Sequence, residues 1–162
     1  MSVFDPIEKG LKEIEILAEL SQKAGVTIVE CNDSNVIATR IKDVAPQGRP
    51  VYRWDAKTFK KHDAIGSMYQ LSKLSKVQKP IVIIENIANI PDGDRSIYDD
   101  PALVENILLH SWKDDTIHLT HHKNGSFQMN KWDYTVIFPV KPGDLQRLRH
   151  SIKGDNLGFI SI

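Results

Sequence analysis

Lys79-Pro80-Ile81-Val82-Ile83-Ile84-Glu85-Asn86 decides the fold class of this chain. Four β-branched apolar residues run without a break into an acid and an amide. A half-buried strand alternates apolar and polar side chains. A run apolar at every position fits a strand covered on both faces, as in a parallel sheet between layers of helices. In such sheets ligands sit beyond the carboxyl ends of the strands, and Glu85 and Asn86 stand at that end of this one.

Outward from this run, helical and strand patterns alternate. Asp5, Pro6 and Glu8 form the opening of a helix, with Asp5 as cap and Glu8 completing a capping box. Ile7, Leu11, Ile14, Leu17 and Leu20 then recur at helical spacing until Gly25. Residues 26–31 read as the first strand, 32–35 as a polar loop, and 36–44 as a helix capped by Asp33 or Ser34. Residues 50–54 read as a second strand, and Ile65, Met68, Leu71, Leu74 and Val77 as the stripe of another helix. After the apolar run come a polar loop over 89–99 and a helix from Asp100-Pro101 to Trp112. A β-hairpin follows around Lys123-Asn124-Gly125. Then come a buried strand over 134–138 ended by Pro139, a helix from Asp144 to Lys153, and a short strand over 158–162. The pattern predicts one three-layer α/β domain over 1–162, with a mostly parallel sheet and an inserted β-hairpin.

Composition narrows the function classes. The 162 residues suffice for one domain with a real core. Lys and Arg number 21 and Asp and Glu 21, so the chain lacks the global field of a dedicated nucleic-acid binder, while local patches stay open. Cys31 is the only cysteine, which excludes an internal disulfide and suits a reducing compartment. With no apolar run of membrane-spanning length and no cleavable leader pattern, a cytoplasmic protein without membrane contact is expected.

Three stretches carry a resemblance over nearly the whole chain. Ile81-Val82-Ile83-Ile84-Glu85-Asn86 resembles a Walker B strand, normally four apolar residues followed by Asp-Glu. The hairpin over 116–129 sits between that strand and the next, and Tyr134-Thr135-Val136-Ile137-Phe138-Pro139 stands where a sensor-1 strand belongs. The order is similar to the large subdomain of AAA+ ATPases and implies a P-loop NTPase-like frame. The departures imply lost chemistry. A P-loop needs Gly-x-x-x-x-Gly-Lys-Ser/Thr to wrap and neutralise phosphates. Here the equivalent stretch, Cys31-Asn32-Asp33-Ser34-Asn35-Val36, has neither glycine nor lysine and carries an acid. Glu85 can stand in for the magnesium-holding acid, but Asn86 replaces the acid that orients water and cannot act as a base. Phe138-Pro139 supplies no sensor-1 amide or hydroxyl, although Thr135 lies earlier on the strand, and no helical lid follows.

The expectation is therefore a degenerate AAA+-like domain with no catalytic residues and no cofactor, working through a protein partner or self-association. The hairpin and the 89–99 loop are its natural contact surfaces. A second reading keeps ATP and magnesium, held by Asn32, Asp33, Ser34 and Asn35 with Glu85 and Asn86. A third is an unrelated metal-dependent α/β enzyme using Glu85, Asp92 and the histidines His118, His121 and His122, with His110, Asp114 or Asp115 as further ligands. On a strand, His118 and His122 share one face and His121 takes the other. No metal site is expected from them, since two ligands four residues apart on a strand are too distant for one ion. Lys57, Lys60, Lys61 and His62 beside Tyr52 and Trp54, and Arg147, Arg149, His150 and Lys153, are basic runs open to nucleic acid. Cys31 reads as a small core residue, and Trp112 and Trp132 as hairpin packing or a partner surface.

Overall fold

The structure, a computed structural model, describes residues 5–91, 101–148 and 157–162, with the side chains of all but 5–9 and 75–78. The chain runs α1 (Asp5–Gln22), β1 (Gly25–Glu30), α2 (Ser34–Val44), β2 (Val51–Asp55), α3 (Lys61–Gln78), β3 (Ile81–Glu85), α4 (Pro101–Leu108), β4 (Thr116–His121), β5 (Gly125–Asn130), β6 (Thr135–Val140) and β7 (Gly158–Ser161). Short 3-10 turns cover Ala56–Thr58, Ile87–Asn89, His110–Lys113, Lys131–Asp133 and Pro142–Arg147. Five strands form one sheet in the order β2-β3-β6-β1-β7, every pair parallel, while β4 and β5 pair antiparallel with each other.

The unbroken apolar run now has its physical reason. Ile81 and Ile83 of β3 enter one core with Leu17 and Leu20 of α1 and Ile37 and Ile41 of α2. Val82 and Ile84 enter the other, with Met68 and Leu71 of α3, Val104 and Leu108 of α4, and Ile117 and Met129 of the hairpin. Successive side chains thus feed opposite cores, and neither face of the strand meets water. β1 and β6 divide in the same way, Ile28 and Phe138 to one core, Val29 and Ile137 to the other.

Pro139 does not end β6, which runs on to Val140 with Pro139 opposite Val29. The pairing of β6 with β3 stops at Ile83↔Ile137, so the proline's missing N–H falls where the ladder has already parted. The stripe of α1 is only half covered. Leu17 and Leu20 are buried, whereas Leu11 is 57% and Ile14 41% exposed. The last helical expectation is corrected too: the described chain beyond β6 makes a 3-10 turn, Pro142–Arg147, in which Asp144 is an interior residue rather than a cap. Arg149, His150 and Lys153, like Asp92 and most of the 89–99 loop, lie outside the described residues.

Trp112 is fully buried, edge-on to Tyr134 at 5.8 Å, and its indole N–H donates to the Leu108 carbonyl at 2.9 Å. Trp132 is half exposed and lies on Gly25, where a Cβ would sit 3.0 Å from the ring. Gly25 also holds φ +99°, so both the ring and the backbone require glycine there.

Candidate functional site

Because the five strands are parallel, their carboxyl ends share one edge of the sheet, marked by Glu30, Asp55, Glu85 and Ser161. β1 passes into α2 through Cys31, Asn32 and Asp33 alone. Asp33 caps α2, its carboxylate accepting the Asn35 N–H at 2.9 Å, so the helix terminus already has an anion of its own. Asn32 is exposed in the turn. Ser34, the first residue of α2, donates its hydroxyl to Glu85 Oε2 at 2.8 Å.

The Glu85 side chain is 8% exposed and is held from two sides. Opposite Ser34 stands Arg53 of β2, diagonal to Glu85 in the ladder, where Asp55 pairs Glu85 and Arg53 pairs Ile83. Its Nε binds Glu85 Oε1, and its Nη2 donates at 3.0 Å both to Glu85 Oε2 and to Asn35 Oδ1. The hydrogen bond to Glu85 pushes the guanidinium's pKa up further, against a smaller opposing effect of burial. A fixed monovalent cation therefore lies on the carboxylate that the sequence offered to magnesium. Asn86 adopts φ 61°, ψ 27°, a left-handed conformation that asparagine tolerates, and donates to Asp55 Oδ1 at 2.8 Å. That same oxygen accepts the Lys57 N–H at 3.0 Å. Asn86 thus ties the ends of β2 and β3 together.

Of the residues singled out from sequence, Asp33, Ser34, Asn35, Glu85 and Asn86 do meet at this edge, through hydrogen bonds among themselves and to β2. Arg53 was missed. The available signal was a lone arginine inside the otherwise apolar Val51-Tyr52-Arg53-Trp54, but its target depends on the β2–β3 register. Thr135 is excluded from the site. It lies at the opposite edge of the sheet, donating to the Lys23 carbonyl at 2.6 Å and accepting from Arg49 at 2.8 Å. Arg49, its pKa lowered by burial, also binds the Lys79 carbonyl at 2.6 Å and the Ser21 carbonyl.

Beside Glu85 a polar cleft of about 380 Å³ opens between the ends of β1, β3 and β6. Lys57, Lys141 and Arg147 contribute cations to its wall, and Asp144 is the carboxylate among its described lining residues. Asp144 accepts from Asn89 at 3.2 Å and pairs with Arg147 at 3.8 Å, and Arg147 donates to Asn89 Oδ1 at 3.0 Å. Cys31 borders the cleft but is buried, and burial pushes its thiol pKa up, away from the reactive thiolate. Glu85 and Asp144 are thus both engaged by guanidinium groups, a poor arrangement for activating water.

The histidines are placed differently from the expected alternation. β4 ends at His121, so His122 belongs to the turn, and Gly125 at φ +78° pairs His121 as the chain returns. The His121 ring stacks on Tyr69 at 5.2 Å, and His122 lies 4.7 Å from His121 and 5.1 Å from His62 of α3. The pKa of His122 is lowered, first by loss of hydration and then by His121, His62 and Lys123. His110 is buried 3.5 Å from Glu105, and Asp115 lies 3.7 Å from Lys131. Among the described residues no group of three or more His, Cys, Asp or Glu side chains is placed to hold a metal ion. Among the same residues no helix is long and apolar enough to cross a membrane.

Comparison of the chain with protein-family models and with curated proteins finds no match.

Proposed function

We propose that this chain is a catalytically silent, AAA+-like α/β domain that acts by binding a protein partner or a copy of itself. The observation that carries the proposal is the seat of Arg53 on Glu85. A guanidinium with two nitrogens on the carboxylate, and a serine hydroxyl on the same group, fills the coordination that a divalent ion would need. The three-residue turn after β1, closed by the Asp33 cap, leaves little backbone to wrap a phosphate. The AAA+-like frame is supported by the sheet, in which the stretches resembling the Walker B and sensor-1 strands, β3 and β6, are parallel neighbours. The partner-binding half of the reading is supported by the uncovered stripe of α1, since Leu11 and Ile14 keep a helical apolar face in water.

The test is the melting temperature with and without millimolar Mg-ATP, Mg-ADP or magnesium alone. A ligand at a hundred times its dissociation constant adds about 2.7 kcal/mol, so binding is easily read. No shift is expected. A nucleotide-dependent rise that Glu85→Ala removes would overturn the silent-site reading. Sedimentation across a concentration series tests self-association, with Leu11→Ser and Ile14→Ser as the paired variants. A dimer indifferent to both would place the contact elsewhere.

A further inference from the structure

Among the described residues β2 is an edge strand, bonded within the sheet to β3 alone. Tyr52 and Trp54 project from it toward α3, and Phe59, just past the Ala56–Thr58 turn, tilts against Trp54 at 6.0 Å. All three are only partly buried. They line an open groove of about 620 Å³ whose opposite wall, from α3, carries the hydrogen-bonding side chains of Ser67 and Gln70 and, at the start of the helix, the carboxylate of Asp63. Each ring therefore keeps surface available to a stacking partner.

Cations flank this groove at both ends, although no lysine or arginine is among its described lining residues. The Ala56–Thr58 turn separates it from the carboxyl-end cleft, with Thr58 on the groove side and Lys57 on the cleft side, where Lys141 and Arg147 also stand. Lys60 and Lys61 open α3, and His62, on the groove wall, reaches the hairpin turn through His122, which Lys123 follows. The carboxylates in this region are engaged locally. Asp55 accepts from the Lys57 N–H and from Asn86, and Asp63 accepts the Lys60 N–H at 3.0 Å. In a chain of zero net charge, a basic strip beside three accessible rings is a local concentration.

We propose that this groove binds single-stranded nucleic acid, with bases stacking on Tyr52, Trp54 and Phe59 and the backbone passing the flanking Lys60, Lys61 and Lys123. The two requirements of a single-strand site, aromatic faces and nearby cations, are neighbours here. A duplex hides its base faces and would use only the cations. An extended peptide added to the edge of β2 would use the groove but leave the basic strip unexplained. The inference goes beyond the silent-domain reading and stands whether or not that reading holds.

Fluorescence anisotropy of labelled oligothymidine and oligouridine of about 16 nucleotides, at about 50 mM salt, tests it. Saturable binding is expected that weakens with salt. Trp54→Ala should weaken it about fivefold or more, the equivalent of one lost stack. Lys60→Ala with Lys61→Ala should reduce the logarithmic salt slope by about 1.4. Should Trp54→Ala fail to fold, as judged by its circular dichroism, Tyr52→Leu at the same groove replaces it. The relative affinity for the two oligomers distinguishes DNA from RNA as the natural strand. No saturation up to about 100 μM, at the weak end of non-specific binding, would overturn the proposal. So would a duplex bound as tightly as the single strand, or binding indifferent to the aromatic substitution. Selected extended peptides that bind at β2 while oligonucleotides do not would reassign the groove to a protein strand.

Discussion

Replacing Arg53 with alanine tests the central feature of the site most directly. The Glu85 side chain is 8% exposed and that of Arg53 45%, so the pair is buried on one side and half in water on the other. Removing one partner of a fully buried pair costs about 3–5 kcal/mol, because the other charge is left without compensation. Exposed pairs contribute about 0–1 kcal/mol. Arg53→Ala leaves Glu85 with the Ser34 hydroxyl, and half of the guanidinium was solvated already, so the expected loss lies between these limits at about 1–3 kcal/mol. For a chain of this length that corresponds to a melting-temperature fall of about 3–10 °C. Urea denaturation gives the free energy directly. The decisive measurement is the double-mutant cycle with Glu85→Gln, which removes the charge that Arg53 compensates. In that background Arg53→Ala should cost less than half as much. Removing the guanidinium also exposes a carboxylate beside a serine hydroxyl. Magnesium at ten times its dissociation constant would then restore about 1.4 kcal/mol to Arg53→Ala and nothing to the parent. Equal costs of Arg53→Ala in the two backgrounds would refute the idea that Arg53 acts as the resident cation of Glu85.

Three further outcomes follow from the packing and the titrating groups. Phe138 is fully buried in the core shared by the sheet, α3 and α4, so Phe138→Ala should lower the urea-derived stability by about 3–5 kcal/mol, and a loss under 1 kcal/mol would refute that placement. The folded pKa of His122 is below its unfolded value of about 6.5, so the unfolded chain takes up the proton first as pH falls. Its contribution to stability is complete above pH 6.5 and is lost as pH drops from there through the folded value; His122→Gln should flatten the urea midpoint over that window, and an unchanged slope would count against the ring cluster. Cys31 is buried with a raised thiol pKa, so its alkylation should accelerate with urea in parallel with global unfolding. Rapid modification of the native protein would show instead that the thiol faces the cleft.

The sequence alone determined the layer architecture, because periodicity is a local property. A run apolar at every position over 81–84 can be satisfied only by two covered faces, and the structure supplies them as two separate cores. The Asn-Gly hairpin and the Asp33 cap were legible for the same reason: each depends on a few adjacent residues. Where local signals met a tertiary constraint, the constraint prevailed. Pro139 continues β6 because the neighbouring strand has already parted, and Leu11 and Ile14 keep a helical spacing that no other described element covers. The candidate site was half legible. The acid at the strand end and the polar turn after β1 could be named from spacing, but Arg53 reaches Glu85 only through the register of β2 on β3, across 32 residues. The same register and strand order made β2 an edge, bringing Tyr52, Trp54 and Phe59 into one groove, and the docking of the hairpin on α3 brought His122 to His62. Pattern along a chain reports which faces must be covered; which charges and rings then meet depends on how distant strands align, and that is set by the packing of the whole sheet.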